Sequence, residues 1–279
     1  MIEMPMTRWK LAALVGMAAA GLATILGGGS LGEVARPAAA AMPGGGAVTG
    51  SAFLVAPGLL VTNVHVVLHC RAQGRPVQVA GLAGPWRVLA EEGSSDLVLL
   101  SGPPSGEAFL SLSTAQRLPR DMPVLALGYP ARAARAGQME AAPGRIRRAA
   151  LTVHDPEGGH APSFVMTDRQ GREVEARWED GIRYFGSEKA GRLRWRLEID
   201  AATGGGNSGG PVLDAAGNVV GVVYAGGQGS TAAVPLADLR ELLARAGVAP
   251  RLRTPAGLAA PDWSAVRARA APAVRRLFC

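Results

Sequence analysis

Asp200-Ala201-Ala202-Thr203-Gly204-Gly205-Gly206-Asn207-Ser208-Gly209-Gly210-Pro211 is the stretch on which the fold of this chain turns. Three meanings compete in it. Gly204, Gly206 and Gly209 fit G-x-G-x-x-G, a dinucleotide fingerprint, which needs a helix directly after it to set an N-terminus on the pyrophosphate. Pro211 and a β-type run follow instead, which discards that meaning. Gly206, Ser208 and Gly210 fit G-x-S-x-G, a strand-to-helix turn that exposes a nucleophilic serine, in the chain order serine, acid, histidine. All four histidines (His65, His69, His154 and His160) precede Ser208, which forbids that order. A plain glycine turn between strands needs no serine at all.

Outward from this stretch the chain reads as short apolar runs punctuated by turns. Upstream, strands are predicted at 48–55, 59–64, 76–79, 86–90, 97–100 and 123–127, closing at Gly128-Tyr129-Pro130. A second set is predicted at 145–153, 163–167, 173–178, 193–199, 219–224 and 232–234, with Asp168-Arg169-Gln170-Gly171 as a hairpin turn. The fold class expected is therefore all-β, with two packed six-stranded antiparallel β-barrels over 47–130 and 140–235. One segment has a helical period. Leu236, Leu239, Leu242 and Leu243 share a face and Gly247 stops it, which predicts a helix over 236–247. Residues 251–279 are left as a C-terminal tail.

Composition agrees. Of 279 residues, 48% are hydrophobic and 18% charged, a globular balance. The 38 glycines and 20 prolines, against 5% aromatics, suit many turns better than a helix bundle. The net charge is +7, but only Lys10 and Lys189 are lysines, and the arginines are spread without interleaved aromatics. No nucleic-acid partner is read from that pattern. Arg8 and Lys10 precede an apolar run at 11–26, and Ala39-Ala40-Ala41 offers a small-residue cleavage site. A signal peptide over 1–41 and a linker over 42–46 are expected, hence a periplasmic or secreted protein. Left uncleaved, the same segment would associate the chain with a membrane.

Two segments give the serine its meaning. Val61-Thr62-Asn63-Val64-His65-Val66-Val67 and Ser95-Asp96-Leu97-Val98-Leu99-Leu100 set the order His65, Asp96, Ser208. With Gly206–Pro211 they resemble the histidine, acid and nucleophile segments of trypsin-fold (chymotrypsin-like) serine proteases, over about residues 47–248. Gly50-Ser51-Ala52-Phe53-Leu54-Val55-Ala56-Pro57-Gly58 and Asp200-Ala201-Ala202 look most like the HtrA/Deg branch. The 32 residues after Gly247 are too few for the PDZ domain of that branch. The resemblance implies a serine endopeptidase domain over 47–250 that acts on polypeptides and uses no cofactor or metal. His65 would be general base and acid, Asp96 its orienting partner, and Ser208 the nucleophile. The N–H groups of Gly206 and Ser208 would form the oxyanion hole. The same resemblance puts Ala202 at the base of the primary pocket and makes Val223-Tyr224-Ala225 the edge that pairs with substrate. An uncharged Ala202 implies small to medium apolar P1 residues. Asn207 stands where trypsin has an aspartate, so activation through an ion pair to a new N-terminus is not available.

The chemistry suits these residue types. A serine hydroxyl attacks only when a positioned base takes its proton, and imidazole is matched to neutral pH. The base needs an acceptor on its other nitrogen to hold its tautomer. A metal pair of His65 and His69 would want Glu after the first histidine, where the chain has Val66. His154 and His160, in a Pro/Gly-rich stretch, read as exposed loop residues. A catalytically silent binding protein on the same fold, or an esterase-like hydrolase, would carry the same three residues. Finally, an exported chain with only Cys70 and Cys279 is expected to bridge them; two free thiols or an intermolecular bridge are the alternatives.

Overall fold

The computed structural model describes residues 49–104, 106–131, 137–154, 164–227, 229–256 and 260–279. The expected signal segment, the linker and His160 lie outside them. In chain order the elements are β1 (Thr49–Ala56), β2 (Leu59–Thr62), α1 (Val64–Ala72), β3 (Gln78–Val79), β4 (Arg87–Glu92), β5 (Leu97–Ser101), β6 (Leu112–Ser113) and β7 (Pro123–Gly128). Then come β8 (Glu140–Val153), β9 (Met166–Thr167), β10 (Glu173–Val174), α2 (Trp178–Phe185), β11 (Leu193–Ile199), β12 (Pro211–Leu213), β13 (Val219–Gly227) and β14 (Ser230–Pro235). The chain ends with α3 (Leu236–Arg245), β15 (Leu252–Arg253), α4 (Trp263–Ala270) and β16 (Val274–Phe278).

The strands form two main sheets, as an all-β trypsin-like fold requires. The first has six, in the order β3-β16-β1-β2-β5-β4. The second has eight, β12-β7-β8-β11-β14-β13-β6-β15, because the two-residue strands β6 and β15 add at one edge through parallel pairs. Its other edge folds back, since β12 also pairs with β13. A single apolar cluster joins Phe53, Leu54 and Leu99 of the first sheet to Val222 and Val234 of the second and to α3 and α4. The predicted face of α3 holds: Leu236, Leu239, Leu242 and Leu243 are all buried.

Three expectations need correction. β7 belongs to the second sheet, not to a first barrel ending at 130: it pairs with β8 and β12, and all six of its residues are buried. A strand buried on both faces shows no alternation that would say which sheet it joins. The run at 173–178 is a two-residue strand followed by helix. Glu179 and Asp180 fill the first turn of α2, where negative charge is favoured, and Asp180 accepts from the Arg177 N–H (2.9 Å). The tail is not an appendage. Asp262 caps α4 by accepting from the Ala265 N–H (3.0 Å), and β16 then inserts between β1 and β3, pairing Thr49 with Phe278 and Phe53 with Val274.

Cys70, on α1, and Cys279, just past β16, form a disulfide with Cα atoms 5.5 Å apart and a sequence separation of 209. The bond fastens the last strand to the helix that carries His65. On the chain-entropy model such a loop contributes about 5 kcal/mol by constraining the unfolded chain, an amount that native-state strain and residual denatured-state structure reduce. Cys279→Ser is accordingly expected to shift the denaturant midpoint clearly downward. A midpoint equal to that of the unsubstituted protein would show that β16 is held by its pairing alone.

Candidate active site

The loop between β11 and β12 docks on the β1–β2 end of the first sheet. The Ser51 N–H donates to the Ser208 carbonyl oxygen (2.8 Å). A Cβ on Gly209 would lie 2.2 Å from both the Ser51 oxygen and Thr62 Oγ1, and Gly209 has φ +84°. Only glycine permits that approach and that backbone, so the serine is delivered next to the strand end from which α1 starts.

Asp96 organises α1 as well as the His65 ring. It sits at the β4–β5 turn with φ +61°, a left-handed conformation that aspartate tolerates better than most residues. The first N–H groups of a helix lack intrahelical acceptors. Here the Asp96 carbonyl accepts from the Val64 N–H (3.2 Å) and its Oδ1 from the His65 N–H (3.0 Å). Asn63, the residue preceding the helix, donates from Nδ2 to the same Asp96 carbonyl (2.8 Å). Oδ2 remains for the His65 ring and lies 2.6 Å from Nδ1. With Nδ1–H donating there, Nε2 keeps its lone pair for a proton. Asp96 is 3% exposed, while the His65 side chain is 26% exposed, so the imidazole meets solvent and the carboxylate does not.

The glycine loop is held by its carbonyls. Gly205 O accepts from the Ala131 N–H (2.6 Å), and Asn207 O from the Gly210 N–H (2.9 Å). A trans peptide points its N–H opposite its C=O. The N–H groups of Gly206 and Ser208 therefore face away from those partners, and among the described residues neither has a protein acceptor. Ser51, which the sequence reading passed over, braces the same loop: its hydroxyl donates to Gly206 O (2.7 Å) and accepts from the Tyr129 N–H (2.8 Å). The loop is thus ordered without an ion pair at Asn207. The Ser208 hydroxyl donates to the Tyr224 carbonyl oxygen (3.2 Å), not to His65.

The profile of the trypsin-like peptidase domain matches residues 50–222. The chain belongs to the trypsin-like peptidase family. It is accordingly a serine-type peptidase, and its substrates are polypeptides. None of the curated proteins matches it significantly. Among solved structures it is similar to the active form of the Rv3671c protease from M. tuberculosis, at 22% identity and TM-score 0.48, over 75% of this chain and 78% of that one. It is also similar to the HtrA-type protease AlgW with a decapeptide, at 22% identity and TM-score 0.48, over 71% of this chain and 51% of that one.

In this peptidase the residues expected to meet substrate separate into two places. β13 pairs with β12 only as far as Val222, and the Val223 backbone is taken up by Gly209 and Gly210. From Tyr224 to Gly227 the strand keeps β14 on one side, past a bulge between Val223 and Ala225. Among the described residues no strand lies along its other side. Val223 is buried and its backbone is occupied, so the stretch of β13 without a second neighbouring strand among the described residues is Tyr224, Ala225 and Gly226, with Tyr224 O holding the Ser208 hydroxyl. Ala202 is exposed and lines a cavity of about 250 Å³ with Ala126, Glu140, Ala141, Ala142, Pro143 and Asn207. The residue that stands against the edge strand is Thr203: a Cβ on Gly226 would lie 1.9 Å from its Oγ1. Thr203 is fixed there by Thr231 (2.8 Å between hydroxyl oxygens), which itself donates to Ala201 O (2.7 Å).

Two more side chains, Arg196 and His154, border the site around Tyr224 without having been expected there. The Tyr224 ring meets the His65 ring edge-on, with centroids 6.1 Å apart. Arg196 lies over its face at 4.7 Å, and the His154 ring is 6.2 Å away. His154 is buried, not exposed, because β8 runs up to it and Arg192 brackets its backbone: His154 N–H donates to Arg192 O (2.6 Å) and Arg192 Nε to His154 O (3.0 Å). Burial, and then the Arg196 charge, push the His154 imidazole below its ordinary value. Among the described residues no cluster of histidine, cysteine and carboxylate side chains is placed to hold a metal ion, and no helix is long and apolar enough to cross a membrane.

Proposed function

We propose that the chain is an exported serine endopeptidase in which His65, Asp96 and Ser208 form the catalytic triad. The observation that carries this reading is the 2.6 Å bond from the His65 ring to a buried Asp96 carboxylate, beside a serine loop whose Gly206 and Ser208 N–H groups have no protein acceptor among the described residues. Ser208 Oγ swings from Tyr224 O to His65 Nε2, gives up its proton there and attacks the scissile carbonyl carbon. The developing oxyanion takes the N–H bonds of Gly206 and Ser208; losing one such donor costs about 10²–10³ in rate. His65 passes its proton to the leaving amine, and water, deprotonated by His65, hydrolyses the acyl-serine. Substrate lies extended along Tyr224–Gly226 as an added strand.

Thr203 packed against Gly226 sets a small, uncharged side chain beside the edge strand, which supports small to medium apolar P1 residues. The apolar run at 11–26 and the disulfide between Cys70 and Cys279 support an oxidising, exported location, periplasmic or secreted. Cleavage-site profiling on an unfolded protein substrate, with a small ester assayed beside it, tests the reading. Cuts after alanine, valine or leucine, lost in Ser208→Ala, are expected. Cuts after arginine or lysine would contradict the pocket assignment, and ester turnover with no peptide cleavage would make the protein an esterase-like hydrolase.

A further inference from the structure

Arg196 is the bulkiest fully buried side chain among the described residues, at 1% exposure. A buried guanidinium is costly unless its surroundings are arranged for it, so what it faces defines its use. It stands on β11 of the second sheet, yet its Nη2 reaches Ser95 O in the first sheet's acid turn (3.5 Å), while Nη1 donates to Trp195 O (3.1 Å). Two residues earlier on the same strand face, Arg194 Nε donates to Ser94 O (2.9 Å). From α3, Asp238 Oδ2 accepts from the Ser95 hydroxyl (2.8 Å). Both residues preceding Asp96 are therefore gripped from across the sheet–sheet boundary. The other face of the Arg196 guanidinium supports the Tyr224 ring, which abuts His65 and whose backbone holds the Ser208 hydroxyl. Asp238 and Asp96 supply opposing charge nearby; Arg194 and His154 also act on this cluster. Burial pushes the Asp238 carboxyl above its ordinary value and the Arg196 guanidinium below its own.

We propose that Arg196 is a positioning residue for the triad: acting through Ser95 and Tyr224, it fixes the Asp96 carboxylate and the His65 ring with respect to each other. The proposal rests on the triad reading given above. Misplacing a catalytic pair by about 1 Å can cost about 10²-fold in rate even when the change lies outside the chemistry. Its test has a readout that needs no substrate, the far-downfield proton resonance of the His65 Nδ1–H bonded to Asp96.

Arg196→Met and Arg196→Lys are compared in the full chain. Arg196→Met is expected to broaden or lose that resonance and to lower kcat about 10–100-fold with KM nearly unchanged, its circular dichroism remaining that of the folded protein. Arg196→Lys, which keeps a cation, is expected to recover the resonance and most of kcat. Should Arg196→Met not fold, Arg196→Gln, which removes the cation but keeps a polar side chain in its place, is used instead, and a broadened resonance with lowered kcat is expected there. A sharp, unshifted resonance with unchanged kcat in Arg196→Met, or in Arg196→Gln if the former does not fold, overturns the proposal. So does an Arg196→Lys protein no better than Arg196→Met. Asp96→Asn separates the two levels: a resonance that survives it refutes the triad, not the role of Arg196.

Discussion

Ser208→Ala and His65→Ala are each expected to lower kcat by about 10⁴–10⁶, with the double variant hardly slower than either alone. The serine is a competent nucleophile only while the imidazole takes its proton, so removing either partner removes the pair's whole contribution. What survives is catalysis by the Gly206 and Ser208 N–H groups and by substrate binding. Steady-state turnover of one peptide by the three variants measures this. His154 is the informative control. It is buried behind Tyr224 and engages Arg192 through its backbone, so His154→Ala is expected to affect stability far more than chemistry. Near-normal turnover in His65→Ala combined with loss in His154→Ala would mean that the base has been misassigned.

Asp96→Asn is expected to lower kcat by about 10⁴ at neutral pH while leaving the fold intact. Its Oδ1 can still accept from the His65 N–H at the start of α1, so the helix keeps that contact. The amide placed where Oδ2 now accepts from Nδ1 would donate instead. That selects the tautomer with the proton on Nε2, which cannot serve as base. Circular dichroism and kcat/KM on the same sample separate this from unfolding, and a loss smaller than tenfold would contradict the role given to Asp96.

The segments proposed to carry the triad were legible because each is short and its spacing is dictated locally. Glycines must flank Ser208 for the loop to approach Ser51 and Thr62 so closely, and His65 must follow directly on a strand end. The face of α3 was legible from its period for the same reason. What escaped depends on partners far away in sequence. β16 is five residues long and finds its neighbours, β1 and β3, about two hundred residues upstream. Nothing in Val274-Arg275-Arg276-Leu277-Phe278 alone announces an interior strand. Arg196 escaped because an arginine in a strand is ordinarily read as solvent-facing. The period of two was nonetheless visible: Leu193, Trp195 and Leu197 fall on one face, Arg194 and Arg196 on the other. Arg194, Arg196 and Glu198 share that face, the ordinary pattern of a solvent-facing strand side, and only the fold shows that Arg194 and Arg196 meet the turn that carries Asp96. Ala202 was assigned by its distance from Ser208, and its neighbour Thr203, which stands against Gly226 of the edge strand, was not singled out.

The central claim is that Ser208 is an activated nucleophile and not a serine in a silent copy of the fold. A fluorophosphonate probe reports this directly, because it phosphonylates a serine only where a base and an oxyanion hole act together. The protein is expected to take up one probe per chain, at Ser208 by peptide mapping, with labelling abolished in Ser208→Ala and strongly slowed in His65→Ala. A folded protein that remains unlabelled, or labelling that persists undiminished in Ser208→Ala, would contradict it.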